Sequence, residues 1–378
     1  MRTLALSVIL LVSACAPPSP VGGDPGGTPG GGNPGNGGNP GNGGNPGNTP
    51  GNNPDPGGNP DPTMPTTGNP DPTMPQTGGG KLLVGYYQSW SDGWKATGAE
   101  TVLAHLPSYL NVVNLSFVMP DTSYVAGSLN LRGTTFLDVP YDGPTLKDAI
   151  AALHKNNPST KVMVAVGGAT LYNWGNFQPE KVAQLVEDFG FDGVDLDYEP
   201  ATPNCMVGGG KVTCPSDNEF INVVTRMRDA MPRPKWISIA AWSVGAYGEG
   251  QWASAPPMGS ASTGLSLAML KNAKASAALD LINVMSYDAS PAYDPVQALA
   301  AYQFYFKGRI AMGVEVPPEA WGGHVYTIAE IDKLADAVNQ SNGTGLMLWS
   351  IQKAGPVQSF ATEMCTKLAL GNCSAPLQ

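Results

Sequence analysis

Eight short apolar segments recur between residues 81 and 378 of this chain, and stretches with helical character fall between them. Several of these stretches have Asp or Pro near their start and Gly or Pro near their end; examples are 145–155, 179–189, 217–231, 295–307 and 328–340. Strands that alternate with helices form parallel sheets, so the pattern predicts one α/β domain, a (β/α)8 barrel. Its candidate strands are 82–87, 112–117, 162–166, 193–198, 236–241, 281–286, 310–314 and 345–350.

The fourth candidate strand carries three acidic side chains at every second position. Because side chains alternate between the faces of a strand, Asp195, Asp197 and Glu199 point to one face. Like charges a few ångströms apart do not all stay ionised, so part of the row holds protons near neutral pH, as a general acid must. The residues between the acids are apolar and suit packing against helices: Val194, Leu196 and Tyr198.

An acidic loop or a calcium site is the alternative interpretation of this row. A calcium loop spreads its oxygen ligands over a flexible turn that contains glycine. Residues 192–199 instead have the pattern of a strand and follow Phe189-Gly190-Phe191. We therefore interpret the row as catalytic.

The pattern D-x-x-D-x-D-x-E at 192–199 resembles the signature of glycoside hydrolase family 18, which contains chitinases and endo-β-N-acetylglucosaminidases. Further segments resemble motifs of that family, in the family's order. They are G-Y-Y at 85–87 for the first strand, K-V-M-V-A-V-G-G at 161–168 for the third, M-S-Y-D at 285–288 for the sixth and G-L-M-L-W-S at 345–350 for the eighth. The resemblance covers about residues 81–378 and also implies a (β/α)8 barrel.

The resemblance implies an endo-acting chitinase that hydrolyses β-1,4-N-acetylglucosamine linkages in chitin or chitooligosaccharides with retention of configuration. In that mechanism the substrate's own acetamido carbonyl attacks the anomeric carbon and forms an oxazolinium ion. Glu199 is implied as the general acid and base. Asp197 is implied to orient the acetamido N–H and stabilise the ion, while Asp195 shares charge and a proton with Asp197. No cofactor is expected.

The remaining matching positions imply contacts with the sugar. Tyr287 is expected to donate a hydrogen bond to the acetamido oxygen, and Trp349 to form the apolar floor of the pocket. Tyr86, Met285 and Asp288 are expected to line it. Asp192 is expected to hold the start of the strand and to take no part in the chemistry. About 30 residues separate the seventh and eighth strands, which leaves no room for the extra domain of some relatives, so we expect an open cleft.

Ala165 departs from the family pattern, in which the third strand ends S-x-G-G. That Ser hydrogen-bonds the residue that matches Asp195, so we expect Tyr86 to be the only partner left for this carboxylate. The loss of one donor is expected to raise the pKa of Asp195 and to shift the activity profile.

The N-terminus has the pattern of an export signal. Residues 1–14 contain Arg2, an apolar run from about Leu4 to Leu11, and small residues directly before Cys15. This run is too short to span a bilayer and predicts a signal peptide. The small residues resemble a bacterial lipobox, which predicts a lipidated Cys15 and a membrane anchor; the alternative is ordinary cleavage that leaves Cys15 free. The expected location is an outer-membrane or cell-surface lipoprotein, or alternatively a secreted protein.

Residues 15–80 consist largely of Gly, Pro and Asn with short repeats, and they contain four Asp but no Lys or Arg. Such a composition forms no core, so the segment is predicted to be a disordered linker.

The other four cysteines form two close pairs in the sequence. Cys205 and Cys214 flank a loop after the acidic strand, and Cys365 and Cys373 flank the end of the last helix. In an exported chain both pairs are candidate disulfides. A zinc site of four thiols is the alternative, but the spacing is not C-x-x-C and the chain has only three histidines. No metal is expected.

The charge of the chain favours a neutral partner. The net charge is −10, and 19 basic and 26 acidic residues remain for the barrel once Arg2 and the four linker aspartates are left out, which gives −7. An acidic domain is a poor partner for nucleic acid. Polysaccharides instead bind by stacking on aromatic rings. Six tryptophans follow or end candidate strands, and each is a candidate either for a sugar platform or for packing in the core or a loop: Trp90, Trp94, Trp174, Trp242, Trp252 and Trp321. A monomer that binds chitin or N-acetylglucosamine oligosaccharides is expected.

Two other functions stay open at this point. An endo-β-N-acetylglucosaminidase that acts on N-glycans uses the same acidic row. A non-catalytic chitin-binding lectin has the same fold, but such relatives usually lack the final Glu of the row, which this chain retains as Glu199.

Overall fold

A computed structural model describes residues 80–133, 137, 139–317, 325–341 and 343–377. The predicted signal peptide, the lipidation site Cys15, the linker up to residue 79 and Trp321 lie outside the described residues.

Eight parallel strands close into a barrel, and the predicted (β/α)8 architecture is confirmed. The strands are β1 (Leu82–Gln88), β2 (Val112–Val118), β3 (Lys161–Gly167), β4 (Gly193–Asp197), β7 (Trp236–Trp242), β8 (Leu281–Met285), β9 (Arg309–Glu315) and β10 (Thr344–Trp349). A short antiparallel hairpin, β5 (Met206–Gly208) and β6 (Lys211–Thr213), follows β4. Around the barrel the order is β1-β10-β9-β8-β7-β4-β3-β2, so β10 closes the ring between β9 and β1.

The helices are α1 (Gly143–Asn156), α2 (Pro179–Phe189), α3 (Asp217–Ala230), α4 (Leu267–Lys271), α5 (Ala273–Ala278), α6 (Pro295–Tyr305), α7 (Ile328–Asn339) and α8 (Val357–Lys367). Capping interactions explain where several of these helices begin or end. Asp142 and Asp294 accept backbone N–H groups at the starts of α1 and α6, and Thr327 forms a capping box with Glu330 at α7. Gly190 ends α2 in the left-handed conformation, with φ of 79°.

The core lies between the strands and the helices that surround them. All five residues of β4 are buried, and its outward-facing Val194 and Leu196 are fully buried. A strand covered on both faces is expected to be apolar throughout. The acidic side chains of β4 break that rule, and they point into the barrel.

Both predicted disulfides are present, between Cys205 and Cys214 and between Cys365 and Cys373. The first closes the loop that contains the β5–β6 hairpin, directly after the acidic strand. The second links α8 to the segment that follows it.

Within the described part of the connection from β9 to β10, the only helix is α7. None of the helices described is both long and apolar enough to span a membrane.

Candidate active site

The acidic row lies where β4 ends, inside the carboxyl-terminal mouth of the barrel. Asp195 is 0% exposed and Asp197 is 4% exposed. Glu199 lies two residues beyond the last residue of β4 and is partly exposed. In (β/α)8 barrels the ends of the strands at this face carry the chemistry.

Asp195 accepts hydrogen bonds from three strands. Tyr86 Oη of β1 donates to Oδ2 at 2.7 Å, whereas Ser238 Oγ of β7 and Asn283 Nδ2 of β8 donate to Oδ1 at 2.5 and 3.0 Å. The expectation that Tyr86 would be its only partner is therefore wrong. Ala165 lies beside Asp195 in the β3–β4 register, and Ser238 lies beside it on the opposite side, in the β4–β7 register. A hydroxyl from the other neighbouring strand thus replaces the one that Ala165 lacks.

The surroundings of the two aspartates set different proton affinities. Burial raises the pKa of Asp195, while its hydrogen bonds from Ser238, Tyr86 and Asn283 oppose that rise. Burial and the charges of Glu199 and Asp195 raise the pKa of Asp197 well above its usual range. The Asp197 Oδ1 atom is buried and has no hydrogen-bond partner among the described residues. These surroundings favour the protonated form of Asp197, and its Oδ1 atom stays available to a ligand.

Glu199 combines a raised pKa with access to the cleft. Burial, and after it the charge of Asp288, raise the pKa of Glu199 to about 7. Asp288 is exposed and adopts a φ of 50°, in the sparsely populated left-handed region. A carboxylic acid with this pKa is protonated in much of the population at neutral pH and so meets the requirement for a general acid.

Tyr287 lies beside the acids, just after β8. It is 7% exposed, and burial together with the charges of Asp197, Glu315 and Glu199 raises its pKa well above the usual value. Its hydroxyl therefore stays a neutral donor. Gly313 of β9 makes room for the ring, because a Cβ there would press on the Val284 carbonyl oxygen and lie 3.0 Å from Tyr287 Cε1.

Trp349 ends β10 and is surrounded by aromatic rings. Its ring is 5.6 Å from Tyr86 in an edge-to-face arrangement and 5.9 Å from Phe117 in a stacked one. Phe117 in turn stacks on Trp90 at 6.1 Å. Met285 ends β8 beside Trp242. Together these residues give the mouth of the barrel an apolar wall beside the carboxylates, the kind of surface on which a sugar ring packs.

Four of the five candidate tryptophans that the structure describes fall into two groups, and the fifth, Trp242, ends β7 beside Met285. Trp174 and Trp252 are 2% and 5% exposed and belong to the core. Trp90 and Trp94 are 43% and 71% exposed, and Asp92 between them accepts hydrogen bonds from two buried tyrosine hydroxyls, those of Tyr87 and Tyr141, at 2.8 and 2.7 Å. That loop is thus held in place, so Trp90 and Trp94 are the candidates for sugar platforms outside the pocket.

Glu315 is a site residue that the sequence analysis missed. It ends β9 beside Trp349, is fully buried, and forms an ion pair with Lys353 Nζ at 2.7 Å. An acidic residue at the carboxyl end of an apolar barrel strand was the available signal. Ser238 and Asn283 were missed as well, although each is a polar residue within an apolar strand.

Asp192 lies at the opposite end of β4, away from the site. It accepts hydrogen bonds from Val162 N and His154 Nε2, both at 2.8 Å, and pairs with Lys161 Nζ at 3.2 Å. Burial alone would raise the pKa of Asp192, but the bonds from His154 and Val162 and the charge of Lys161 lower it. These contacts fit the expected role in holding the strand start.

The described part of the chain offers no evident set of metal ligands. Among the residues that the structure describes, no group of three or more His, Cys, Asp or Glu side chains could hold a metal ion. Asp195 is instead engaged with hydroxyl and amide donors, and Asp197 lies beside the charges of Glu199 and Asp195.

Comparisons with known proteins agree with this geometry. The model of the family "Glycosyl hydrolases family 18" matches residues 82–315. A chitinase from Plasmodium falciparum is 33% identical over 181 residues, which cover 44% of this chain and 43% of that protein. A chitinase from Enterococcus faecalis is 31% identical over 131 residues, which cover 32% of this chain and 35% of that protein. The matches thus span less than half the length of these curated relatives.

Solved structures share the fold. The crystal structure of a chitinase from Pseudoalteromonas aurantia aligns with a TM-score of 0.51 at 18% identity, over 76% of this chain and 100% of that one.

Proposed function

Because the chain belongs to glycoside hydrolase family 18, we propose that it is an endo-acting chitinase that cleaves β-1,4-N-acetylglucosamine linkages by a retaining, substrate-assisted mechanism. One observation carries the proposal. Asp197, a buried carboxyl with one oxygen that lacks a partner among the described residues, adjoins Glu199, a carboxylic acid whose pKa is raised to about 7. The names of the two relatives, both chitinases, support the choice of substrate.

Glu199 supplies the proton for the first step. The acetamido carbonyl oxygen of the bound sugar attacks the anomeric carbon while the glycosidic C–O bond breaks. The Glu199 proton moves to the departing oxygen, which leaves as a neutral hydroxyl, and the sugar becomes an oxazolinium ion. In the second step Glu199 takes a proton from water, and the resulting hydroxyl attacks the anomeric carbon. The bond between that carbon and the acetamido oxygen breaks at the same time, which restores the neutral acetamido group. The free acid is thereby restored.

Asp197 and Asp195 stabilise the positive charge of that ion. We assign one net negative charge to the pair and place it on Asp195. Three donors favour the ionised form of Asp195, whereas none of the described residues donates a hydrogen bond to Asp197 Oδ1. Asp197 Oδ1 accepts the acetamido N–H and aligns the carbonyl for attack. The burial of both groups strengthens this interaction, because little water competes for the charge.

Tyr287 and Trp349 hold the acetamido group and the sugar ring. The neutral Tyr287 hydroxyl donates to the acetamido oxygen, and the Trp349 ring supports the apolar face of the sugar. Because the pocket takes up the acetamido group as the nucleophile, substrates that lack it are expected to be poor.

Product analysis tests this function. Purified protein is incubated with N-acetylglucosamine oligomers and, separately, with a high-mannose glycopeptide; a mock purification from cells without the chain controls for contaminating glycosidases. Cleavage of the oligomers supports a chitinase. Cleavage of the glycopeptide alone would assign the endo-β-N-acetylglucosaminidase activity instead. Binding without cleavage of either substrate would indicate a lectin and contradict the proposal.

Export through a signal peptide at 1–14 and lipidation at Cys15 are a separate part of the proposal, supported by the sequence pattern alone. A membrane-tethered or secreted monomer would meet chitin outside the cell, where its four other cysteines form disulfides.

A further inference from the structure

Tyr198 lies between Asp197 and Glu199 and points to the outer face of β4, away from the substrate cleft. It is fully buried. Phe220 of α3 stacks on its ring at 4.4 Å with an interplanar angle of 14°, and Trp174 lies 5.3 Å away. The ring is therefore held by two aromatic neighbours, and its position fixes the backbone that carries both acids.

The Tyr198 hydroxyl has a specific partner on α3. It donates to Glu219 Oε2 at 2.5 Å. Burial, and then the bond to Glu219, raise the pKa of Tyr198, so the hydroxyl stays protonated and remains a donor at any working pH. Ser216 and Asp217 also face this hydroxyl. Glu219 lies in the first turn of α3 and is only partly buried.

The N-terminus of α3 is itself anchored to the segment that follows Glu199. Cys214 N donates to Asp217 Oδ2 at 3.0 Å, and the disulfide joins Cys214 to Cys205. The first turn of α3 is therefore a fixed support against which the Tyr198 hydroxyl is held.

The sheet itself does not hold Glu199. The last backbone hydrogen bond at the end of β4 runs from Gly168 N to Asp197 O at 2.9 Å. Along the chain, the next one among the described residues runs from Cys205 N to Ala261 O. Glu199 falls in this gap, where side-chain contacts replace the ladder of the sheet.

We propose that Glu219 is a positioning residue for the general acid: through the Tyr198 hydroxyl it fixes the end of β4 and so the placement of the Glu199 carboxyl. This inference rests on the proposed role of Glu199. Neither Tyr198 nor Glu219 faces the cleft, so loss of their bond affects the chemical step and leaves sugar binding largely intact. A displaced catalytic group lowers the rate steeply even when substrate still binds.

Four variants test the inference: Glu219→Ala, Glu219→Gln, Tyr198→Phe and the double variant Tyr198→Phe/Glu219→Ala. Glu219→Ala and Tyr198→Phe each abolish the hydrogen bond between the two side chains, and we expect each to lower kcat about tenfold with KM little changed. The double variant should lose no more than either of them, because both remove one interaction. Glu219→Gln should retain most activity, since its amide oxygen still accepts the hydroxyl. Asp229→Asn, at the far end of α3 in an exposed ion pair with Lys274, is the matched control.

The pH profile separates positioning from a merely structural role. Water that reaches a loosened Glu199 weakens the effect of burial on its pKa, so the alkaline limb of kcat should move to lower pH in Glu219→Ala. The groups that face Glu199 are Asp197, Asp288 and Tyr287, and none of them is altered in these variants. A lower melting temperature with unchanged kcat and unchanged profile in folded protein would overturn the inference.

A readout that needs no turnover keeps this test independent of the proposed function. Carboxyl 13C NMR titrates Glu199 in the wild type and in Glu219→Ala, with Glu199→Gln for assignment. A lower Glu199 pKa in Glu219→Ala supports the inference, and an identical pKa contradicts it. If the wild type hydrolyses neither test substrate, the chitinase proposal fails while the titration still decides the role of Glu219.

Discussion

At the scale of single residues, the three acids at and just beyond the end of β4 differ in proton affinity because their partners differ. Asp195 has three donors, the Asp197 Oδ1 atom has no partner among the described residues, and Glu199 faces the charge of Asp288. In the proposed mechanism these similar side chains, two positions apart, are thereby suited to three roles: a stabilised anion, an acceptor for the substrate and a proton donor.

The rate should depend on pH through Glu199. Its pKa is raised to about 7, so the acid form that donates the proton predominates below that value and is lost above it. We expect kcat on chitooligosaccharides to fall as pH rises through about 7, measured in buffers of constant ionic strength. A kcat that stays level well above this pH would contradict the assignment of the general acid.

Replacement of Glu199 by Gln should lower kcat by about 100-fold or more, because the proton donor is removed and the shape of the side chain is retained. Binding of N-acetylglucosamine oligomers, measured by calorimetry, should change little. Glu187→Gln, on the exposed side of α2, is the control. A Glu199→Gln enzyme with near-normal kcat would show that another residue donates the proton.

At the scale of secondary-structure elements, the carboxyl ends of the strands are brought together by close backbone contacts. Gly167 ends β3 with φ of 101°, and a Cβ there would clash with the Asp197 carbonyl oxygen and the Trp174 ring. Gly167 thus lets β3 approach the end of β4. At the other end of β4, Asp192 fastens the strand to β3 and α1 through Val162, Lys161 and His154.

Replacement of Asp192 by Asn should destabilise the barrel by about 1–3 kcal/mol at neutral pH, because charge-assisted hydrogen bonds are lost. The folded-state pKa of Asp192 is lowered, so its contribution is present above the unfolded-state value and disappears as pH falls through the folded-state value. Urea unfolding at neutral and at strongly acidic pH measures this.

In that experiment the difference between the wild type and Asp192→Asn should shrink in acid. The replacement Asp229→Asn, at an exposed position of α3, should change stability little at either pH. An Asp192→Asn protein as stable as the wild type at neutral pH would contradict the structural role.

The strands could be predicted from the sequence to within one residue at each end, because buried parallel strands are continuous apolar runs bounded by turn residues. The short helices α4 and α5 and the β5–β6 hairpin were not predicted, since three to six residues give little periodic signal. The partners of Asp195 were missed for another reason. Ser238 and Asn283 lie far from it in sequence, and only the register of the closed barrel brings them within bonding distance.

At the scale of the whole molecule, the fold extends beyond the segment that the family model matches. That match ends at residue 315, whereas the barrel closes only through β10, which pairs with both β9 and β1 and carries Trp349. The floor of the proposed sugar pocket therefore depends on a strand outside the matched segment.

Lipidation at Cys15 predicts a simple fractionation result. In a bacterial host that processes lipoproteins, the wild type should be recovered with membranes, and Cys15→Ser should be soluble with the same specific activity, because the anchor lies outside the barrel. Centrifugation followed by activity assays of both fractions measures this. A wild type found entirely in the soluble fraction would contradict the anchor.

Affinity for a stable thiazoline mimic of the oxazolinium ion tests the mechanism most directly. The site should bind this compound at least about 100-fold more tightly than the parent disaccharide, because transition-state and intermediate analogues gain the interactions that the site makes during catalysis. Calorimetric titration of the wild type and Asp197→Asn gives the comparison, and the variant should lose most of the advantage. A thiazoline that binds the wild type no more tightly than the disaccharide would contradict substrate-assisted catalysis.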